Sequence, residues 1–328
     1  MARYYRVETA RNQPVSTEIT GYTIGILALL HSLNGDPRYL DRARAAAAFL
    51  RGARQSAGGS MPFETDPASL SYFFDNGIIA RGLLALWRAT ADAQYLADAR
   101  AIGDAMERDF VAPDGQFHPI VTLPAKTPLD RDPLRWSRSP GCYQLKSAMA
   151  WWDLAKATGN PRCRTLYDSV RRDALASAPT FLPGHPDSRK VVDRLHAFLY
   201  YLEGLLPAAG DPACAAAIGD GIQQTGRYLR DLAPQFERSD VYAQLLRVRL
   251  YAADLGAVRL DHDAAAWEAA QLAEFAATSD DARIDGGFFF GRSAGAWEPF
   301  VNPVSTAFAI QALALWNGDA QPRYHPVL

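Results

Sequence analysis

Cysteine is scarce in this chain. Its three residues, Cys142, Cys163 and Cys214, are scattered. They fit neither a disulfide framework nor the paired spacing of a zinc site, and they point to a reducing compartment. Basic excess is missing too. Thirty-four Lys and Arg stand against 36 Asp and Glu, a net charge of −2, so nucleic acid is not expected as a partner. No apolar run reaches the ~18 residues that a membrane span needs. The opening segment MARYYRVETARNQ lacks the apolar core of a secretory signal, so a cytoplasmic location is expected. A glycine-rich phosphate loop, a nucleophile elbow and paired histidines on one helix turn are all absent. The six histidines are dispersed, so neither metal nor cofactor is expected.

What is plentiful is apolar content, 48% of 328 residues, and it is arranged as a repeat. GILALLHSLNGDPRYLDRARAAAAFL (25–50) and GLLALWRATADAQYLADARAIGDAM (82–106) each read as an apolar helix, a tight polar turn and an Ala-rich second helix. Residues 148–175, 200–229 and, more loosely, 248–275 follow the same scheme, and 306–321 supplies a first helix and a turn. The period is roughly fifty to seventy residues, longer than a tetratricopeptide unit. First helices are expected at 15–33, 70–89, 140–157, 189–206, 239–254 and 303–316, with about five second helices and no convincing strand. The first helices are the more apolar, which predicts an inner ring of them and an outer ring of second helices. Chain 1–328 is read as one domain.

This pattern resembles the all-α, (α/α)6 barrel or toroid of the six-hairpin glycosidase-like superfamily, and in related form that of terpenoid cyclases. The glycine–aromatic stretch DGGFFFGRSAGAWEP followed by STAFAIQALALW (285–316) is similar to terpenoid-cyclase toroids locally, but their acid-rich catalytic motif is absent. The long links 51–69, 111–139, 178–188 and 278–302 all enter the N-terminal ends of first helices. The site is therefore expected at that end, where loops on a rigid scaffold gather.

Each first helix brings polar or aromatic groups to that end. They are Glu18; Tyr72, Asp75 and Arg81; Trp136 and Tyr143; Asp193, Arg194 and His196; Asp240, Gln244 and Arg247; and Trp297 and Asn302. Along VVDRLHAFLYYLEGLL, the residues Asp193, His196, Tyr200 and Glu203 lie near one side of a helix and are expected to descend the wall of a funnel. Trp136 and Trp297, read in loops, are candidate sugar-stacking platforms. The arginines suit bidentate contact with a carboxylate, or equally the neutralisation of nearby acids.

The likeness to six-hairpin enzymes implies a carbohydrate-active enzyme with an oligo- or polysaccharide substrate. The segment FFDNGIIARGLLAL looks like that of hydrolases acting on uronic-acid oligosaccharides. This implies a glycoside hydrolase with Asp75 as acid/base and Asp193 or Glu18 as the second carboxylate. A lyase or epimerase on the same barrel would instead use Tyr143 and His196 for proton transfer, with Arg194 beside a substrate carboxylate. A toroid that only binds a glycan or a protein, and a terpenoid-cyclase-like protein, are the remaining alternatives.

Overall fold

A computed structural model describes residues 1–132, 135–233 and 235–321. In chain order the main elements are β1 (Tyr5–Arg6), β2 (Arg11–Asn12), α1 (Thr17–Asn34), α2 (Pro37–Ser56), β3 (Leu70–Tyr72), α3 (Phe73–Thr90), α4 (Ala93–Phe110) and β4 (Ile120–Thr122). There follow α5 (Leu145–Thr158), α6 (Pro161–Ser177), α7 (Ser188–Leu205), α8 (Pro212–Leu232), β5 (Phe236–Arg238), α9 (Ser239–Asp254) and α10 (His262–Ala273). The last are β6 (Gly291–Ser293), β7 (Ala296–Trp297), β8 (Phe300–Val301) and α11 (Pro303–Trp316). The chain divides into two compact units. Among the described residues, one is Pro14–Ser177 with Met1; the other is Ala2–Gln13 with residues 178–233 and 235–321.

The hairpin turns are specified locally. Gly35, Ala91 and Gly159 end α1, α3 and α5 in the left-handed conformation, which releases the chain from the helix. Every second helix then starts on an Asp or Asn whose side chain accepts a backbone N–H. These are Asp36, Asp92, Asn160, Asp211 and Asp261. Proline follows directly after Asp36, Asn160 and Asp211, where its missing N–H costs nothing. The recurring turn is thus a helix stop, a cap and a start within a few residues.

In the first unit, α3 packs against both α1 and α5 at close range. A Cβ on Gly82 would lie 2.3 Å from the Gly21 carbonyl oxygen, and one on Gly77 would lie 2.0 Å from Ser147 Oγ. Ser147 Oγ donates to the Phe73 carbonyl at 2.7 Å, and Arg81 meets Asp153 further along. Contacts 77–147 and 81–153 advance together, so α3 and α5 run parallel, as successive first helices should. Because backbone stands opposite Gly77, Gly77→Ala is expected to destabilise the protein by about 3 kcal/mol through overpacking. Chemical denaturation would check this.

In the second unit, α7 and α9 also run parallel. Asp193 meets Arg238, His196 meets Gln244 and Glu203 meets Arg247, in register. Arg249 and Glu268 form a buried ion pair between α9 and α10.

No strand is expected from the sequence, and the described residues contain eight short ones. They form three antiparallel sheets, β2-β1-β8, β3-β4 and β5-β6-β7. At two or three residues each, they are too short for side-chain alternation to register. Loop-to-loop pairing creates them. No helix among the described residues is long and apolar enough to cross a membrane.

Candidate active site

The densest convergence of predicted site residues lies in the second unit, where α7 packs against the start of α9. Arg238 closes β5 and leads into α9. Its Nε and Nη2 donate to the two carboxylate oxygens of Asp240 at 2.9 and 2.6 Å, and its Nη1 donates to Asp193 Oδ1 on α7 at 2.8 Å. The Arg238 and Asp240 side chains are buried, at 7% and 3% exposure, whereas Asp193 is 49% exposed. The guanidinium also lies 4.5 Å from the centre of the Phe290 ring.

His196 sits one turn after Asp193. Its Nδ1 is 2.6 Å from Gln244 Oε1 and 3.6 Å from Asp240 Oδ2. Asp240 and Gln244 are one turn apart on α9, so both reach the same ring. Tyr200 flanks the imidazole at 4.5 Å between ring centres, and Phe308 of α11 lies 6.5 Å away. The ring keeps 13% exposure, and its Nε2 has no hydrogen-bond partner among the described residues.

The electrostatics are legible. Burial pushes the His196 pKa below its ordinary value, and the nearby Asp240 carboxylate only partly opposes this. Burial works against the Asp240 charge as well, but Arg238, His196 and the Val241 backbone N–H together outweigh it and hold the pKa below the ordinary value. Burial likewise opposes the charge on Arg238, and Asp240 followed by Asp193 more than restores it. The result at neutral pH is an uncharged imidazole beside an ionised, arginine-held carboxylate. Such a group stands in the unprotonated form that a general base needs.

One turn further along, Arg247 and Glu203 form a fully buried ion pair. Arg247 Nη1 also donates to Gln311 at 2.8 Å, and its guanidinium lies 4.0 Å from the Phe308 ring centre. Here the structure departs from the expected funnel wall. The line Asp193, His196, Glu203 faces α9, and its lower end is a buried pair that holds two helices together.

The other predicted residues are placed as follows. Asp75 is buried in the first turn of α3, and Glu18 is half-buried in the first turn of α1. Arg81 forms a buried pair with Asp153, which is the neutralising role open to it from sequence. Arg194 donates Nε and Nη2 to the Phe181 carbonyl at 2.9 and 2.6 Å and stacks on the Phe181 ring. Tyr143 is buried and donates to the Ser139 carbonyl at 3.2 Å. Burial raises its pKa far above the ordinary phenol value, so it keeps its proton at neutral pH.

Trp136 lies in a short 3-10 turn rather than a loop, edge-on to Tyr143 at 4.9 Å. Trp297 lies on β7, is 41% exposed, and stacks on Phe289 at 5.5 Å. Tyr72 ends β3 and packs on Phe63 at 4.9 Å. Asn302 caps α11, accepting from Val304 N and Ser305 N. Arg238 is the residue that sequence reasoning missed. Its signal is the charged run ERSD set directly before an apolar helix. Among the described residues, no three His, Cys, Asp or Glu side chains converge as a metal site would require.

The structure is similar to cellobiose 2-epimerase from Spirochaeta thermophila DSM 6192. The TM-score is 0.73 and the identity 16%, over 96% of this chain and 90% of that one. It is similar to a D-mannose isomerase, with a TM-score of 0.70 and 12% identity over 97% of this chain and 91% of that one. A glycosyl hydrolase family 88 protein from Bacteroides vulgatus gives a TM-score of 0.58 and 12% identity over 94% of this chain and 93% of that one. No protein-family model matches the chain, and no curated protein sequence matches it. At such identities the likeness carries the fold and leaves the chemistry to be argued from residues. The chain has the all-α fold of these structures, the α/α toroid of helical hairpins that its sequence repeat implied.

Proposed function

We propose that this protein is a carbohydrate-active enzyme that moves a proton on the carbon beside the carbonyl of a reducing sugar, with His196 as the base. The observation that carries the reading is the state of His196. Burial lowers its pKa, so it is uncharged at neutral pH; it is held at Nδ1 and, among the described residues, unengaged at Nε2. In an open-chain aldose the C1 carbonyl acidifies the C2 hydrogen. Nε2 takes that proton and the electron pair moves toward O1, giving an enediolate. Return of the proton to C1, with the O2 hydroxyl proton passing to O1, gives the ketose; return to the opposite face of C2, with the electron pair coming back from O1, gives the epimer. The fold shared with proteins described as an epimerase and an isomerase supports the reading.

The test is incubation with a panel of reducing mono- and disaccharides in deuterated water, followed by mass spectrometry and NMR. Deuterium should enter at C2 or C1. The kcat/KM profile should fall on the acid side with a midpoint below the ordinary histidine value of about 6.5, because the burial-lowered pKa keeps His196 basic to lower pH. A sugar panel without exchange would sink the reading.

A second reading is hydrolysis of a uronic-acid-containing oligosaccharide by Asp75, with Glu18 as its partner. Its support is that both acids stand in the first turns of α1 and α3, helices of one unit that pack together. The same panel then gives cleavage with gain of one water, lost in Asp75→Asn.

A further inference from the structure

Resting on the reading of His196 as base, we propose that Gln244 is a positioning residue. It keeps the His196 proton on Nδ1 and so leaves Nε2 as the basic nitrogen.

The argument begins with the contact itself. Gln244 is fully buried on α9, and its Oε1 lies 2.6 Å from His196 Nδ1. An amide oxygen only accepts, so at that distance Nδ1 must carry a hydrogen. A flipped amide would reverse this, with Nε2 of Gln244 donating to a bare Nδ1. Asp240 decides between the two arrangements. Its Oδ2 is 3.6 Å from the same Nδ1, and Asp240 remains ionised through its bidentate bond to Arg238. A carboxylate oxygen repels an imidazole lone pair and attracts an N–H. The flipped amide is therefore disfavoured by a charge that the fold holds in place.

Gln244 Nε2 is buried without a hydrogen-bond partner among the described residues. The amide orientation is thus set by its oxygen and the imidazole. This arrangement accepts a cost on the amide nitrogen in return for a single tautomer. Asp240 cannot do the same alone. At 3.6 Å it is beyond good hydrogen-bond range, and both of its oxygens already accept from Arg238. The charged groups around the ring in this unit are Asp240 on α9, Arg238 on β5 and Asp193 on α7. Phe308 on α11 brings no charge. Arg247, one turn beyond Gln244, is held by Glu203 and Gln311.

The test uses the full chain labelled with nitrogen-15 histidine, with His196→Asn to assign the ring signals. NMR of the native protein should show a hydrogen on Nδ1 and a bare Nε2. In Gln244→Leu the proton should redistribute toward Nε2. The kcat should then fall roughly 10- to 100-fold, with KM held within about threefold. In Gln244→Glu the Nδ1–H tautomer should persist. The acid limb of the pH profile should move to higher pH, because a carboxylate at that position favours imidazolium.

A hydrogen on Nε2 in the native protein overturns the proposal. So does a Gln244→Leu protein whose tautomer and acid limb are unmoved. If Gln244→Leu does not fold, the native spectrum and Gln244→Glu still decide. The tautomer is read without any sugar, so failure of the function is separately visible as turnover that survives His196→Asn.

Discussion

His196→Asn is expected to lower kcat for proton exchange by about 10²- to 10⁴-fold, the range removed with a general base. KM should change far less. Asparagine is short and uncharged, and its amide can still pair with Gln244. The Arg238–Asp240–Asp193 arrangement does not depend on the imidazole for any of its own bonds. The variant should also lose the acid limb of the pH profile, since the titrating group is gone. Retained deuterium exchange with an intact acid limb would transfer the base role to another residue.

Arg247→Met is expected to have the largest effect on stability. Arg247 and Glu203 are both fully buried and bonded to each other, and Gln311 accepts a further hydrogen bond from Arg247. Removing the guanidinium takes its charged partner from a buried carboxylate and a hydrogen-bond donor from a buried amide. The expected cost is about 3–5 kcal/mol. The double variant Glu203→Leu/Arg247→Met should recover most of that loss, because it buries two apolar side chains and no lone charge. Thermal unfolding of the two singles and the double isolates the coupling. Strict additivity would show that the pair contributes nothing beyond its separate residues.

Helix positions were readable where cap and apolar period agree. The bounds expected for α9 and α11, 239–254 and 303–316, are those observed. At 70–89 the helix begins only at Phe73, because Leu70–Tyr72 pairs with Ile120–Thr122 as a strand. That pairing involves a segment about fifty residues away and leaves no local trace. In the site, Asp193, His196, Asp240 and Gln244 were named from sequence, and the second unit brings them together. The arginines were harder. Arg194 and Arg247 read as carboxylate clamps or neutralisers, and Arg238 only as a residue before a helix. Only helix rotation and neighbouring chain decide that one holds two carboxylates, one is sealed in the interior and one is held by a loop carbonyl.

The pairing of β1 with β8 sets an order on biosynthesis. Tyr5 lies opposite Val301 and Arg6 opposite Phe300, so β1 leaves the ribosome long before the strand it pairs with. Pro14–Ser177 contains all the helices of its own unit and can fold while the rest is being translated. The segment Ala2–Gln13 must wait, a short hairpin with an open edge, until α7 to α11 have emerged. Its exposure during that wait is limited by its design. Only Tyr5–Arg6 and Arg11–Asn12 form strand, and three of those four residues are polar. That leaves little to recruit a neighbouring nascent chain.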